Sequence, residues 1–588
     1  MGIYAKWWVF GPLIGLLSLV TTRCQLLENN LFSTYNEGEW PEVTCPVDAK
    51  YYRTADGRCN DLYKPAMGMA GVRMGRNIQP DYSWQDTGKL MTPNPRDISK
   101  ELLTRNDGIK EVPFLNYTAA AWIQFMIHDW FEHGERDHSD PLKVEVSPGD
   151  VHDSGDGHMN IGRTPADPTR TDGDGRPASF INENTAWWDA SQLYGSDQQT
   201  QDKLRSFSDG KMTIINGRLP LDQGKDIPNT GFSKNWWVGL ELMHTIFVLE
   251  HNKICDMLDD AYPDWSDERL FQTARLINAA QIAKIHTVDW TPAILNNNIL
   301  RQAMFANWRG VLPSWIPRLG EAATDGIMGG KTDLNDVPFS LTEEFTAVYR
   351  MHPLLRDEFP IRDYQSDSVV AGSKLNEHSF GGAGKVIDEF GMVNMIYSFG
   401  RTKPGLLELN NFPDFLTNFP IEVQGQVVDL AAVDIIRDRE RGIPRYNEFR
   451  RQIGLEPIKD FTDITPDTAL AERIRDVYNN DVESLDVMVG SFAEGYRAPG
   501  YGFGETSFQI FIAMASRRLL ADRFFTEDYT AEVYTQEGLD WIDASNYHHV
   551  LVRNFPELTN RLKNVENAFF PWDEENEWYE LKVRKLKK

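Results

Sequence analysis

Apolar positions along this chain recur at three- and four-residue steps far more often than at alternate ones. Four segments carry the pattern most clearly: Asn116–Gly134 ("NYTAAAWIQFMIHDWFEHG"), Trp237–Leu258, Arg269–Trp290 and Glu505–Phe525 ("ETSFQIFIAMASRRLLADRFF"). Such periodicity predicts α-helices with an apolar stripe. Strand-like alternation is sparse, and "GKMTIING" (Gly210–Gly217) is its best short example. The stretch Ser147–Phe180 is rich in Gly, Asp, Pro and Thr, so it cannot be a long helix. Its "DGDG" hints at a calcium loop of the EF-hand kind, but Arg176 stands where an oxygen ligand should follow, and that reading is rejected. The pattern predicts a mainly α protein, one large helical domain with long irregular loops.

Composition sharpens this picture in a few places. The length of 588 residues alone would suggest about four domains. No Pro/Gly/Ser-rich linker, low-complexity tract or internal repeat divides the chain, so a single domain over 41–588 is expected behind an N-terminal segment, 1–40. With 17 Trp, 31 Phe and 20 Tyr, a large core is affordable in area. The formal charge of −27 argues against nucleic acid as a partner, because phosphate binding needs a basic surface. Cys24, Cys45, Cys59 and Cys255 are too few for a disulfide scaffold and lack the CxxC spacing of a zinc site; Cys45 and Cys59 are either one bridge or free thiols. "WWVFGPLIGLLSLV" (Trp7–Val20) is too short to span a bilayer comfortably, which takes ~20 residues. A cleaved signal peptide and a retained helix on a membrane or on the protein body both stay open.

Four constellations carry chemistry. In "QFMIHDW", Gln124 and His128 are four apart and face the same way, whereas Asp129 points about 100° around the helix. In "NTAWWDASQLYG", Thr185, Trp187, Asp189 and Ser191 fall at every second position, so in an extended stretch their oxygens converge into a site suited to Ca²⁺. The alternative is a polar loop making local turns. In "EEFTAVYRMHPLLRDEF", Tyr349 and His352 stand three apart in what reads as a helix, one turn apart on one face. A metal ligand and a redox-active phenol, or two half-buried residues with satisfied hydrogen bonds, both fit that spacing. Finally, Arg517 and Arg518 sit in an apolar helix where both cannot easily face water. A buried guanidinium needs an anion, either a ligand carboxylate or a nearby acid such as Asp522.

These four items, in this order, resemble the peroxidase–cyclooxygenase superfamily of haem proteins, and most closely the fatty acid α-dioxygenases. The likeness extends through "YRTADGRCND" near residue 52, "FMIHDW", "WWDASQLYGSD", "EHNKICD", "IAKIHTVDWT", "EEFTAVYRMHPLL", "RDRERGIPRYNEFRRQIGL" and "ETSFQIFIAMASRRLLADRFFT". It implies a cyclooxygenase-like helical haem domain. His128 would be the distal histidine with Gln124 beside it, His352 the proximal iron ligand, and Tyr349 the residue that becomes a radical. Asp129, Thr185, Trp187, Asp189 and Ser191 match the calcium set, and His286, Thr291, Arg517 and Arg518 the pocket for the substrate carboxylate, with Arg518 as its direct partner. Ile127 replaces the aspartate that ester-links haem in mammalian members, so noncovalent haem b is expected. Pro353 follows the cyclooxygenase pattern, whereas Arg356 stands where a proline is usual.

The implied reaction is oxygenation of a fatty acid at C-2 by O₂, giving a 2-hydroperoxy acid. Competing readings are a haem peroxidase spending H₂O₂ on small donors, a dioxygenase acting at another carbon, and a catalytically silent adhesion or scaffold member. A buried carboxylate clamp has no use in the peroxidase, and intact His128, Tyr349 and His352 have none in the scaffold. The resemblance also favours a retained N-terminal helix. It leaves peripheral membrane association open, and a membrane-associated location is expected rather than a secreted one.

Overall fold

A computed structural model describes residues 31–572, apart from 37, 171–174, 223, 310–340 and 421–426. The apolar run Trp7–Val20 and nearly all of the "DGDG" run lie outside the described residues. Six helices position the site: α1 (Thr118–Trp130), α2 (Val238–Ala261), α3 (Asp267–Ile285), α4 (Glu343–Val348), α5 (Leu430–Glu440) and α6 (Glu505–Ala521). Strands among the described residues pair only as four separate two-stranded antiparallel sheets. One large apolar core runs through the helices, and a smaller one of Leu142, Val144, Met159, Ile161, Ala432 and Ile436 lies between the hairpin Asp137–Glu145/His158–Arg163 and α5.

Local chemistry explains where these helices begin and stop. α3 starts two residues earlier than its apolar stripe because Ser266 caps it, its hydroxyl accepting the Arg269 amide, while Asp267 and Glu268 suit the positive end of the helix. At its far end the winding loosens into a π-turn, His286–Trp290, before one more α-turn, Thr291–Ile294. Pro292 has no amide to give to the carbonyl four residues back, which favours the wider turn there. α6 ends at Ala521 rather than Phe525, because the Asp522 carboxylate accepts the Phe524 amide at 3.0 Å and starts a separate 3₁₀ turn.

Two expected elements take other forms. Tyr349 and His352 do not share one continuous helix. α4 is capped by Thr342 and ends at Val348; Tyr349 closes it with φ −91° and ψ 16°, and His352 opens a 3₁₀ turn, His352–Leu354. Pro353 lacks the N–H that would have bonded the Tyr349 carbonyl, so the helix cannot run through. Gly210–Gly217 is no strand: Met212 and Ile215 make only isolated bridges, to Arg205 and Arg218. Asn216 and Gly217, at φ 52° and 77°, turn the chain back on itself there.

Long-range hydrogen bonds then fix the segments to one another. Glu344 accepts from Arg76 at 2.8 Å and from the Asn77 amide at 2.6 Å, which anchors α4. Asn278 on α3 donates to the Phe247 carbonyl of α2 at 3.1 Å and to the Tyr194 hydroxyl at 2.9 Å. Arg356 gives its amide to the Tyr117 hydroxyl at 3.1 Å, joining the start of α1 to the chain just past His352. Cys45 and Cys59 form a disulfide, and Cys255 is a buried free thiol.

Candidate active site

α1 is buried on nearly all sides. Its partly open positions are Gln124 and Ile127, followed by Phe131 just past its end, a three- and four-residue stripe that His128 adjoins. Gln124 is fixed at both ends of its amide, accepting from Trp237 Nε1 at 2.8 Å and donating to the Asn235 carbonyl at 3.2 Å. His128 packs 4.5 Å from the Phe232 ring, and its Nδ1 is buried with no hydrogen-bond partner. Burial pushes its pKa down to about 3, so the imidazole is neutral and able to accept a proton.

The His352 segment faces this helix. Trp130, two residues past His128, packs edge to face on Tyr349 with ring centroids 5.4 Å apart, so the two histidine-bearing segments meet. His352 is 35 % exposed between the buried neighbours Met351 and Pro353. Its Nδ1 donates to Asp434 Oδ2 at 2.8 Å. The other Asp434 oxygen is held by Arg350 at 2.8 Å, and Arg350 reaches Asp438 at 3.3 Å. Burial works against the charge on Asp434, but Arg350 and His352 outweigh it and hold the carboxyl below its usual range. Nδ1 thus keeps the proton, and Nε2 is left with a lone pair for a metal. A neutral histidine beside the open stripe of α1, and a second histidine with its outer nitrogen free on the segment that meets α1 through Tyr349, suit a planar iron prosthetic group.

Beside it lies a cage of aromatic rings around polar atoms without partners. Tyr349 is 3 % exposed and stacks on Phe345 at 4.4 Å and Phe511 at 5.4 Å. His286 accepts from Trp122 Nε1 at 3.2 Å through Nδ1 and lies 4.7 Å from Trp290, 5.2 Å from Trp188 and 5.3 Å from Trp130. The guanidinium of Arg518 sits 4.7 Å from the Trp130 ring and 4.9 Å from Trp188, and donates through Nε and Nη2 to the Ala186 carbonyl at 2.9 and 2.7 Å. Tyr349 Oη, His286 Nε2, Trp188 Nε1 and Arg518 Nη1 are all buried without a hydrogen bond. Buried polar atoms are rarely left so, and four within one cage point to a ligand that supplies acceptors. Burial lowers the Arg518 pKa, but only to about 10, so the site stays cationic and suited to an anion. Burial raises the Tyr349 phenol well above its ordinary value, so it is neutral. Thr291 and Arg517 are buried as well. Asp522 makes its ion pair with Arg53, at 3.0 Å, and acts on Arg518 only alongside Asp129 and Asp189 as one of several buried charges nearby.

The oxygen-rich set converges behind α1. Ser191 gives its amide to Asp129 Oδ1 at 2.5 Å and its hydroxyl to the Asp129 carbonyl at 2.9 Å. The Thr185 hydroxyl donates to Asp189 Oδ1 at 2.8 Å. The segment is not extended as the alternate spacing suggests: it bends through Trp187–Asp189, and Ala190 adopts φ 59°. Trp187 pins the bend, with Nε1 on the Gly57 carbonyl at 3.0 Å and its ring against Gly68, where any Cβ would come within 2.5 Å. Burial, and for Asp129 the neighbouring Asp189 charge, raise both carboxyls. Asp189 Oδ2 has no hydrogen bond. Two crowded buried carboxylates with hydroxyl and carbonyl oxygens fit a hard cation.

Periodicity pointed to none of Asp434, Arg350, Trp130, Trp188 or Phe511, which lie far along the chain from the residues they touch. The sequence profile of the family described as animal haem peroxidase matches residues 52–569. The alpha-dioxygenase PIOX of Oryza sativa subsp. japonica is 38% identical over 582 residues, covering 95% of this chain and 92% of that protein. A crystal structure of an Oryza sativa fatty acid alpha-dioxygenase variant with palmitic acid superposes with a TM-score of 0.85 at 35% identity, covering 96% of this chain and 93% of that one. The Arabidopsis thaliana fatty acid alpha-dioxygenase gives a TM-score of 0.86 at 36% identity, over 95% and 89% of the two chains. Sequence and fold agree over almost the whole length, and this chain belongs to the animal haem peroxidase family, within its alpha-dioxygenase group.

Proposed function

We propose that this chain is a haem-dependent fatty acid α-dioxygenase that inserts O₂ at C-2. The observation that carries the reading is the cage: a buried phenol without a hydrogen bond, Tyr349, shares its aromatic walls with the buried cation Arg518 and the neutral His286. Support also comes from the similar proteins, which are fatty acid alpha-dioxygenases, one of them solved with palmitic acid. Haem, ligated by His352 and facing His128, would supply the one-electron oxidant once a hydroperoxide has activated it. Ile127 offers no carboxylate for an ester link, so the group would be held without a covalent bond.

His128, neutral because it is buried, takes a proton from the hydroperoxide and returns it to the departing oxygen. Gln124, locked by Trp237 and Asn235, keeps that pocket in register. Tyr349 would give its hydrogen atom, electron and proton together, to the oxidant that haem supplies, and become a neutral phenoxyl. Arg518, His286 and Thr291, with Arg517 beside them, hold the substrate carboxylate so that C-2 lies against Tyr349; that fixed approach supplies much of the rate. The phenoxyl takes hydrogen from C-2, O₂ adds to the carbon radical, and the peroxyl recovers hydrogen from Tyr349. The product is the 2-hydroperoxy acid, and the phenoxyl is regenerated. Asp129, Thr185, Trp187, Asp189 and Ser191 would hold Ca²⁺, and since Asp129 follows His128 directly, the ion would clamp α1 at the reacting end. A lipid-surface location belongs to the same proposal, because the substrate partitions into membranes. No helix among the described residues is long and apolar enough to cross one.

The test is to reconstitute the full chain with haem, supply palmitate and O₂, and locate the new oxygen by mass spectrometry. Oxygen at C-2 is expected. Oxygen at another carbon, or turnover only of small donors with H₂O₂, overturns the reading.

A further inference from the structure

We infer that Arg518 has a second role: it keeps the radical on Tyr349 by making the adjoining Trp130 and Trp188 hard to oxidise. The inference rests on the proposed radical role of Tyr349. An oxidised tyrosine packed on tryptophan can lose its hole to that ring. Three rings pack on Tyr349, and two of them, Phe345 and Phe511, resist oxidation; the third is Trp130, 5.4 Å away. Trp130 in turn meets Trp188 at 5.0 Å and His286 at 5.3 Å, and His286 leads on to Trp290 at 4.7 Å and to Trp122 at 3.2 Å. A hole that reached Trp130 would spread through the aromatic core and be lost to turnover.

Charge closes that exit first. The guanidinium of Arg518 lies 4.7 Å from the Trp130 ring and 4.9 Å from Trp188, so one cation covers both of the first two steps. A cation is drawn to the π-electrons of an indole, and removing one of those electrons turns the attraction into repulsion. Two unit charges 4.7 Å apart, at an effective dielectric of about 20, disfavour the tryptophan radical cation by on the order of a hundredfold or more. Arg518 is fully buried, and its hydrogen bonds run to the Ala186 and Trp187 carbonyls rather than to a carboxylate. The acids nearby are engaged elsewhere, Asp522 by Arg53 and Asp129 and Asp189 in the proposed cation site.

The proton closes it a second time. For the radical to move, the phenoxyl must take an electron from Trp130 and a proton to become a phenol again, while Trp130 must shed its Nε1 proton or remain a radical cation. Trp130 Nε1 and Tyr349 Oη are both buried without a hydrogen-bond partner, so they are not bonded to each other and no bond carries that proton across. The electron alone would leave a buried phenolate beside a tryptophan radical cation, a costly pair to form out of water. The guard is strongest before substrate arrives, when no ligand matches the Arg518 charge and the phenoxyl has to wait. Once the carboxylate is bound, C-2 is the outlet.

The test mixes the haem-reconstituted full chain, carrying ring-deuterated tryptophan, with a fatty acid hydroperoxide and no fatty acid. Two readouts besides activity follow: freeze-quench electron paramagnetic resonance, and peptide mass spectrometry of oxidised Trp130 and Trp188. Wild type is expected to give a tyrosyl signal without a deuterium-sensitive component. Arg518→Met removes the charge and is expected to add a tryptophanyl component and raise Trp130 oxidation about tenfold or more. Arg518→Lys keeps a cation and is expected to stay near wild type, whereas a loss of packing alone would act in both variants. Trp130→Phe leaves Arg518 in place, so it reports even where the Arg518 variants fold poorly; the tyrosyl lifetime is expected to match wild type, and a longer one would mean that Trp130 drains the radical, which overturns the guard. An unmixed tyrosyl signal in Arg518→Met, or tryptophanyl components of equal size in the Met and Lys variants, overturns it too and leaves the Tyr349 reading standing. A wild-type signal that survives in Tyr349→Phe removes the Tyr349 reading, and the guarding role falls with it.

Discussion

Replacing Tyr349 with phenylalanine should stabilise the protein while abolishing oxygenation. The hydroxyl is buried with no hydrogen-bond partner, and the ring makes its contacts with Trp130, Phe345 and Phe511 through carbon. Phenylalanine keeps those contacts and removes a polar atom that folding has to desolvate without compensation, a cost of about 1–3 kcal/mol. At ~2.1 cal/mol/K per residue, 588 residues correspond to about 1.2 kcal/mol/K, so the melting temperature should rise by about 1–2.5 °C. Calorimetry of the apoprotein reads that rise, and product analysis with palmitate reads the loss. A gain in stability that destroys activity marks a group kept for chemistry rather than for folding. A variant less stable than wild type would mean that the hydroxyl is paired, and a variant that still oxygenates palmitate would end the radical role.

Three further outcomes are expected. His133 and Glu343 share a buried hydrogen bond at 3.0 Å; burial holds the imidazole down to about 4 from its ordinary 6.5, and despite burial His133 holds the carboxyl down to about 2 from 4.5. Both groups bind protons more readily when unfolded, so stability falls with acidification, between roughly pH 6.5 and 4 for the first and 4.5 and 2 for the second; unfolding midpoints should show both windows, and Glu343→Gln should remove the lower one. Terbium in the oxygen-rich site should luminesce on tryptophan excitation, through Trp187 and Trp188; Asp189→Asn should abolish the signal, and a wild-type signal in that variant would move the cation elsewhere. Arg518→Ala should raise KM for palmitate about 10- to 100-fold, the worth of a hydrogen bond to a charged group, and leave a fatty methyl ester much less affected; equal effects on acid and ester would mean that the loss is structural, through the Trp130 and Trp188 stacking and the Ala186 bond.

How much of this was legible in the chain depends on distance along it. Periodicity reported the long helices to within a few residues, and the 100° step between His128 and Asp129 correctly put them toward different neighbours: Asp129 meets Ser191, while His128 faces Phe232. The spacing of Tyr349 and His352 misled, because a three-residue step reads as helix unless the missing amide of Pro353 is weighed against it. The alternate spacing of Thr185 to Ser191 misled in the same way: its oxygens do gather, but through a bend that Trp187 pins, not along a strand. The rest was out of reach for a local pattern. Asp434 lies 82 residues from His352, and Arg518 lies 332 residues from the carbonyl it grips. Such pairings come from tertiary packing, which helical periodicity constrains only by saying which faces are apolar. The aromatic cage is the clearest case, since no local pattern singles out Trp130, Trp188 or Phe511, which meet His286, Tyr349 and Arg518 only in the folded chain.

The central claim is that a haem axis ending in His352 oxidises Tyr349. Rapid freeze-quench electron paramagnetic resonance of the reconstituted protein mixed with a fatty acid hydroperoxide tests it directly. The account predicts a tyrosyl signal that decays on adding palmitate and is absent from Tyr349→Phe. The same signal in that variant, or palmitate turnover by wild type with no tyrosyl signal, would contradict it.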